Sequence, residues 1–430
     1  NTAVCPVCLA LPGALPVPNE QAIEGSLSIG EALDCTLTED SLVSRKNYFY
    51  PDLPKNYQIS QYTFPLCVDG RVDVDVDGEP TTVGITRVHM EEDTGKSTHV
   101  GESGRIHGAE HTLLDFNRAG VPLVEIVTEP DIRSPEQARA YGTELQRIVR
   151  AIGVSDARLE EGSMRFDANI SVRPMGQETL GTRTEVKNVN SLRSMQRAIA
   201  FEVTRQIEIL EAGGSIHQET RHWDEAKGVT RSGRTKEESE DYRYFQDPDL
   251  LPLHIDESWR VRVAERRPEL PAAKRERYMS LGTDRRTADL LVDAGDLAAL
   301  FEEAVALGAD ARNVGIWLTG EVVRYLRSEG VDVADTGLSA ASLDELATMT
   351  ADGDLSATAA KDVLAAVLAG EGAPREVAEA RDLLQMSDST EIEAEVLVVL
   401  DEHPEALAKI QSGDTKPIGF IVGQVMRATG

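Results

Sequence analysis

The sequence predicts an α+β region up to about residue 285 and an all-α region after it. Before residue 285, apolar and polar residues alternate in short runs that Gly, Pro, Asn and Asp interrupt, as is typical of strands and turns. After residue 285 this alternation gives way to Ala, Leu and Glu at helical spacing. The change of pattern places the main boundary of the fold at about residue 285.

Three stretches carry the strand pattern most clearly. Valines alternate with aspartates from residue 72 to residue 77, and Asp77-Gly78 then supplies a hairpin turn. In 164–173 one face is apolar and the other presents charged groups, among them Arg165 and Asp167. The stretch 183–187 repeats this pattern, which predicts a second strand beside the first.

Capping residues and apolar spacing predict the helices. Ser134 followed by Pro135 marks the start of a helix over 134–153, and a second helix runs from residue 191 to residue 214. Helical spacing in the second region runs through 286–307, 310–328, 338–350, 355–369, 373–385, 389–402 and 415–428. The Gly- and Pro-containing break after residue 369 divides a helical domain over 286–370 from a small tail domain over 371–430.

Composition excludes several classes of protein. The chain has 430 residues, and 44 Lys and Arg against 74 Asp and Glu leave a formal charge of −30 at pH 7. Such an acidic surface repels phosphate, which excludes non-specific nucleic-acid binding and restricts specific contact to a local basic patch. No apolar run approaches the roughly 20 residues that cross a bilayer. Four cysteines and no secretory signal pattern favour the cytoplasm.

Cys5 and Cys8 have the two-residue gap of half a zinc site. A closed tetrahedral site needs four ligands, and the sequence has no second close pair of cysteines. The two thiols are therefore either half of a zinc site or small buried apolar side chains.

Two stretches are rich in carboxylates that could hold a metal ion. Residues 89–97 (HMEEDTGKS) combine carboxylates, an imidazole and a lysine, a set that suits Mg²⁺ but also describes a solvated loop. Glu125 interrupts the apolar run 121–127 (VPLVEIV). Because a carboxylate in a buried strand is rarely unpaired, we expect Glu125 to meet a metal ion, a hydrogen-bond donor or an arginine.

Aromatic and cationic residues are interleaved in two further stretches, 45–52 (RKNYFYPD) and 241–245 (DYRYF). Such a pattern is found on surfaces that stack on a base or ribose. It is also found in cores with a charged rim, and the pattern by itself does not separate the two.

These stretches belong to a longer ordered set that covers nearly the whole chain. The set comprises 45–52 (RKNYFYPD), 57–61 (YQISQ), 89–93 (HMEED), 120–125 (GVPLVE), 129–131 (EPD), 160–165 (EEGSMR), 185–188 (EVKN), 241–245 (DYRYF) and 419–426 (GFIVGQVM). Taken together, these motifs resemble the B subunit of the tRNA-dependent aspartyl/glutamyl amidotransferases of bacterial and organellar type. The archaeal type carries an inserted domain for which this chain has no room near residue 285.

The resemblance implies a fold and a reaction. The fold would be a cradle-shaped, kinase-like α+β domain over 1–285, followed by the all-α helical domain and by a tRNA-binding, all-α tail. The reaction would use ATP to phosphorylate the side-chain carboxylate of Glu-tRNA(Gln) or Asp-tRNA(Asn). Ammonia, released from glutamine by a separate amidase, the A subunit, and channelled across, would then displace the phosphate. A small C subunit would complete the assembly, and no membrane would be involved.

The resemblance also implies roles for individual residues. Glu92, Glu125 and Asp167 would be catalytic and bind Mg²⁺, since phosphoryl transfer needs metal ligands and cations around the phosphates. Arg165, Lys187 and Asn188 would bind the nucleotide phosphates. Lys46 would contact the nucleotide or the acceptor end of the tRNA. In many members two upstream cysteines complete a zinc site with the pair equivalent to Cys5 and Cys8.

Two alternatives remain at this point. The chain could be a non-catalytic tRNA-binding scaffold, or a stand-alone ATP-dependent amide ligase that acts on a small acid. Convergent carboxylates and cations argue against a scaffold, because a scaffold does not need them. We also expect the chain to lack the family's N-terminal metal-binding strand and its last C-terminal segment.

Overall fold

The structure is a computed structural model that describes residues 1–101, 109–235, 239–385 and 389–428. It divides into two compact units, Asn1–Pro271 and Ala272–Gly430. This division lies before residue 285 because the helix that starts at Pro271 buries Tyr278 against Phe301 in the core of the second unit. The first unit is an α/β region with sheets and the second is helical, so the predicted order of the two regions is confirmed.

The strands of the described chain all lie in the first unit. They are β1 (Thr36–Leu37), β2 (Asp40–Asn47), β3 (Tyr57–Phe64), β4 (Cys67–Val76), β5 (Glu79–Glu92), β6 (Lys96–Val100), β7 (His111–Asp115), β8 (Pro122–Thr128), β9 (Phe166–Ile170), β10 (Thr184–Val189), β11 (Glu219–Asp224), β12 (Val229–Thr235), β13 (Phe245–Gln246) and β14 (Leu253–His254).

Two four-stranded sheets position the candidate site. The first has the antiparallel order β1-β4-β5-β8, and β4 and β5 form the predicted hairpin. Its turn residues Asp77 and Gly78 have φ of 54° and 88°, the positive values that a two-residue type I′ turn requires. The second sheet has the order β12-β11-β10-β9, in which β9 lies beside β10 as the sequence predicts, and the two strands pair antiparallel.

A smaller sheet brings the two aromatic motifs together. In it β2 pairs with β3, β13 and β14, and Phe245 lies opposite Arg45. The Asn47 side-chain amide donates hydrogen bonds to the carbonyls of Tyr242 (3.1 Å) and Arg243 (2.8 Å). These bonds hold the second motif against the end of β2, although the two motifs are far apart in the chain.

Four helices cover the sheets of the first unit: α1 (Glu20–Ala32), α2 (Pro135–Ala151), α3 (Leu192–Glu211) and α4 (Glu257–Arg266). The Ser134 hydroxyl accepts a hydrogen bond from the first turn of α2, as the capping pattern predicts, and the Ser191 hydroxyl caps α3 in the same way. Leu27 of α1 and Leu145 of α2 are buried in the core that packs on the first sheet. Met195 of α3 is buried in a separate core on the second sheet.

Helices make up the second unit. They are α5 (Pro271–Ser280), α6 (Arg285–Asp293), α7 (Gly295–Leu307), α8 (Ala311–Trp317), α9 (Val323–Glu329), α10 (Ala340–Ala351), α11 (Ala357–Leu368), α12 (Pro374–Ala380), α13 (Ser389–Glu402), α14 (Pro404–Gln411) and α15 (Ile418–Ala428). The single helix expected over 286–307 is two helices that meet at Ala294, and Leu318–Val322 forms a π-helical turn between α8 and α9. No helix in the described ranges is long and apolar enough to cross a membrane.

A matched pair of glycines in α1 tests the packing of this helix on β4. A Cβ at Gly30 would lie 2.3 Å from Cys67 Sγ and 2.8 Å from Cys67 Cβ, whereas one at Gly25 would meet only Val154 Cγ1 at 3.7 Å. We expect Gly30→Ala to lower the free energy of unfolding by about 1–3 kcal/mol through overpacking. Gly25→Ala should raise it by up to about 1 kcal/mol through helix propensity. Urea unfolding followed by circular dichroism measures both, and equal effects would contradict this packing.

Candidate active site

A cleft of about 3460 Å³ opens in the first unit and is lined by β8, β9 and β10 together with parts of α2 and α3. Lys46, Glu91, Glu125, Arg165 and Lys187 all line it. The cleft therefore brings together side chains from both four-stranded sheets and from β2.

His89, Glu91 and Glu125 form the one three-residue group in the described chain whose side chains could hold a metal ion. His89 and Glu91 share a face of β5 because successive side chains of a strand alternate, and the register of β5 and β8 places Glu125 opposite His89. His89 Nε2 lies 3.5 Å from Glu125 Oε2 and 3.6 Å from Glu91 Oε1. One ligand atom from each residue lies within 4.8 Å of the other two.

The environment of this group fits a divalent cation. His89 is fully buried, and neither ring nitrogen has a hydrogen-bond partner among the residues that the structure describes. Burial raises the pKa of Glu91, but the His89 imidazole and the Lys46 ammonium beside it, together with a hydrogen bond from the Ser60 hydroxyl, outweigh burial and lower that pKa to about 2. Proteins commonly bind a metal ion through an imidazole nitrogen and two carboxylates, while water or phosphate occupies the remaining coordination positions.

Glu92 lies on the opposite face of β5 from His89 and Glu91. Its carboxylate pairs with the buried Lys55 ammonium and accepts a hydrogen bond of 3.0 Å from the backbone N–H of Ile59. The structure therefore does not bring Glu92 together with Glu125, and the alternation of side chains along the strand explains the separation.

Glu125 is more exposed than its apolar neighbours led us to expect. β8 is an edge strand of its sheet, and the Glu125 side chain keeps 48% of its accessible surface. The expectation of a buried strand is wrong here, because β8 borders the open cleft. The polar group beside it is the His89 imidazole, whose Nε2 lies 3.5 Å from Glu125 Oε2.

Asp167 and Lys187 face each other on β9 and β10. Lys187 Nζ lies 2.6 Å from Asp167 Oδ2 and 3.7 Å from Glu185 Oε1. Burial lowers the pKa of Lys187, but the charges of Asp167, Glu185 and Glu125 outweigh it and raise that pKa above its usual range. Asp167 is thus paired with Lys187 outside the three-residue group, while Lys187 is within electrostatic reach of Glu125.

The other predicted phosphate-binding residues have different surroundings. Lys46 Nζ lies 3.3 Å from Glu91 Oε2 and 5.0 Å from the centre of the Tyr242 ring. The Arg165 guanidinium pairs with the Asp93 carboxylate. The Asn188 amide donates a hydrogen bond of 3.2 Å to the Trp223 carbonyl, so this side chain fastens β10 to β11 at the edge of the cleft.

Comparison with known proteins identifies the family. Residues 1–261 match the GatB/GatE catalytic domain and residues 299–430 match the GatB domain. The chain belongs to the GatB family. Over its whole length it is 49% identical to the B subunit of the aspartyl/glutamyl-tRNA(Asn/Gln) amidotransferase of Frankia casuarinae, covering 86% of that protein. The same subunit of Moorella thermoacetica is 47% identical with 90% covered, and that of Thermobifida fusca is 48% identical with 85% covered.

The cysteine pair remains a half site in this GatB-family chain. Cys5 Sγ and Cys8 Sγ are 3.3 Å apart, and burial together with the Cys5 hydrogen bond raises the pKa of the Cys8 thiol to about 12. No third His, Cys, Asp or Glu joins the pair within ligand distance in the described ranges. Two thiols do not complete a zinc site, so no step below depends on zinc.

His89 and Glu91 belong to the 89–93 motif, from which the sequence analysis assigns a metal-binding role to Glu92 alone. The signal that would have found them is strand parity, since positions 89 and 91 share one face and position 92 lies on the other. Lys55 was also missed. No local pattern shows that Lys55 is buried, because its burial depends on the packing of β3 against β5.

The pairing of Lys55 with Glu92 predicts a stability effect. Lys55→Met would leave a buried carboxylate without its cation, so we expect the free energy of unfolding to fall by about 3–5 kcal/mol. The double variant Lys55→Met/Glu92→Gln should recover most of this loss, because it removes the uncompensated charge. Urea unfolding measures both effects. A double variant as unstable as Lys55→Met would contradict the pairing.

Proposed function

We propose that this chain is the B subunit of an aspartyl/glutamyl-tRNA(Asn/Gln) amidotransferase, a carbon-nitrogen ligase that takes its amide nitrogen from glutamine. The relatives named above carry this activity in their names. The observation that supports a catalytic role in this chain is the His89, Glu91 and Glu125 group at a cleft lined with cations. Its partners would be the amidase and small subunits, A and C, and a mischarged tRNA, and the reaction would take place in the cytoplasm.

The proposed reaction has two steps. An oxygen of the side-chain carboxylate on Glu-tRNA(Gln) or Asp-tRNA(Asn) attacks the γ-phosphorus of ATP, and ADP leaves. Ammonia then attacks the acyl carbon, and inorganic phosphate leaves. Both steps bring anions together, so the protein must supply positive charge and exact positioning.

The residues of the cleft divide this work. His89, Glu91 and Glu125 would hold Mg²⁺, which would neutralise charge on phosphate oxygens when bound. The ammonium groups of Lys46 and Lys187 and the Arg165 guanidinium would attract the phosphates electrostatically. Glu92 would act behind the site, where its pairing with Lys55 fixes the end of β5.

The proposal also assigns roles to the parts of the chain. The first unit would form the kinase-like cradle that receives ATP and the acceptor end of the tRNA. The tail over 371–430 would bind the body of the tRNA. A formal charge of −30 does not oppose this, because only the local charge at the contact surface decides RNA binding.

Metal binding tests the three-residue group directly. We expect Glu125→Gln to weaken Mn²⁺ binding by at least about tenfold, because it removes one of two carboxylate ligands. Glu129→Gln is the matched control, since Glu129 follows the same strand but its carboxylate accepts a hydrogen bond from the Thr86 hydroxyl. Isothermal titration calorimetry with Mn²⁺ measures both. Equal affinity in the wild type and Glu125→Gln would remove Glu125 from the site.

Activity tests the proposed reaction. The complex of this chain with its amidase and small partners is given labelled Glu-tRNA(Gln), Mg²⁺ and ammonium chloride, and Gln-tRNA formed is measured with and without ATP. We expect conversion that needs ATP and that falls at least about 100-fold in Glu125→Gln. Binding of tRNA without ATP consumption in the wild type would support a scaffold, and conversion of free glutamate would support a stand-alone ligase.

A further inference from the structure

Arg87 stands in the same row of β5 as His89 and Glu91. The three positions alternate with buried apolar ones, and Arg87 and Glu91 both line the cleft. We infer that Arg87 binds the side-chain carboxylate of the aminoacyl group and thereby distinguishes the acidic substrate from its amide product. This inference rests on the proposed function and adds a specificity-determining residue to it.

The surroundings of Arg87 differ from those of the other cations of the cleft. Lys46 pairs with Glu91, Arg118 and Arg165 pair with Asp93, and Lys187 pairs with Asp167. Arg133 and Arg173 donate to backbone carbonyls, and Arg183, which has no ion pair in the described ranges, is exposed. Arg87 has no ion pair with any residue that the structure describes. Its Nε is buried and has no hydrogen-bond partner within the described ranges. A half-buried guanidinium without an ion pair is available to bind an anion from outside the protein.

Aromatic stacking holds the Arg87 guanidinium in place. It lies 4.5 Å from the centre of the Tyr62 ring, and that ring stacks on Tyr244 with centroids 5.2 Å apart and planes at 17°. The Tyr62 ring also lies edge-on to the His89 ring, with the two centroids 6.2 Å apart. Stacking reduces the entropy that a long side chain loses on binding, so Arg87 is pre-organised beside the three-residue group.

The chemistry of the substrate favours a carboxylate as the anion. A guanidinium presents two parallel N–H donors that match a carboxylate, whereas an amide offers one acceptor and no charge. The phosphates of ATP have Lys46, Lys187 and Arg165 as candidate partners in the proposed reaction. Conversion of the carboxylate to an amide would remove the charge that Arg87 binds, so the site would bind the product more weakly than the substrate.

The test compares two tRNAs that differ only in the amino acid's side chain. The complex with the amidase and small partners is titrated with Glu-tRNA(Gln) and with Gln-tRNA(Gln), without ATP, and the ratio of the two Kd values is taken. Contacts to the tRNA body cancel in this ratio. We expect the wild type to prefer Glu-tRNA(Gln) and Arg87→Met to lose about 10- to 150-fold of that preference. Arg87→Lys should retain part of this preference, because lysine keeps the positive charge but lacks the two parallel N–H donors of the guanidinium.

Controls separate recognition from a structural role. Arg133→Met is the matched control, since Arg133 also lines the cleft but donates to the carbonyls of its own turn; its ratio should equal that of the wild type. Tyr62→Phe should keep the preference and Tyr62→Leu should reduce it. If Arg87→Met does not assemble, Arg87→Lys and the Tyr62 variants decide the question.

An unchanged Kd ratio in Arg87→Met would overturn the inference. If the KM for ATP also rises in that variant, the guanidinium is assigned to a phosphate instead. Failure of the wild-type complex to convert Glu-tRNA(Gln) would instead count against the proposed function, because the Kd ratio does not depend on turnover.

Discussion

The pairing of β5 with β8 decides which side chains can act in the cleft. In the observed register His89 lies opposite Glu125, and His89 and Glu91 share the cleft side of β5. A shift of one residue would present Met90 and Glu92 instead, because side chains alternate strictly along a strand. The ligand set, the position of Arg87 and the distance to Lys46 all follow from this register.

Contacts on the opposite side of β5 hold the register. The Lys55 ammonium and the Ile59 N–H fix Glu92, and Gln61 Oε1 accepts a hydrogen bond of 3.0 Å from the Met90 N–H. These groups are buried, so a slipped strand would leave a carboxylate and an amide without partners at a cost of several kcal/mol. Glu92 thus contributes to the geometry of the site from behind it.

Local signals predict the elements and the pairing of strands that are close in the chain, but not the contacts between distant parts of the chain. The Asp77-Gly78 turn, the Ser134 cap and the alternation over 164–173 each depend on neighbouring residues, and each has its counterpart in the structure. The pairing of Phe245 with Arg45 joins residues 200 positions apart, for which no local pattern exists. The join at Ala294 was missed because apolar spacing continues across it.

In the candidate site, too, local patterns predict residues of interest but not how these residues meet. The 89–93 motif and the apolar run around Glu125 lie on the two strands that carry the candidate group, but strand parity places Glu92 on the opposite face of β5 from His89 and Glu91. Burial of Glu125 was overestimated because a sequence does not show that β8 is an edge strand. Residue types can be read from a sequence, whereas their side of the sheet depends on pairing.

β3 links the His89, Glu91 and Glu125 group to Arg87, the proposed carboxylate-binding residue. Ser60 donates a hydrogen bond of 2.9 Å to Glu91 Oε1, and Tyr62, two residues further on the same face, contacts both His89 and Arg87. Each member of the row on β5 therefore has a support on β3. In the proposed reaction, the spacing between a phosphate held at the three-residue group and a carboxylate held by Arg87 would therefore be set by the positions of these two strands. Such fixed spacing is what the attack of one anion on another requires, since the protein must supply both the charge and the alignment.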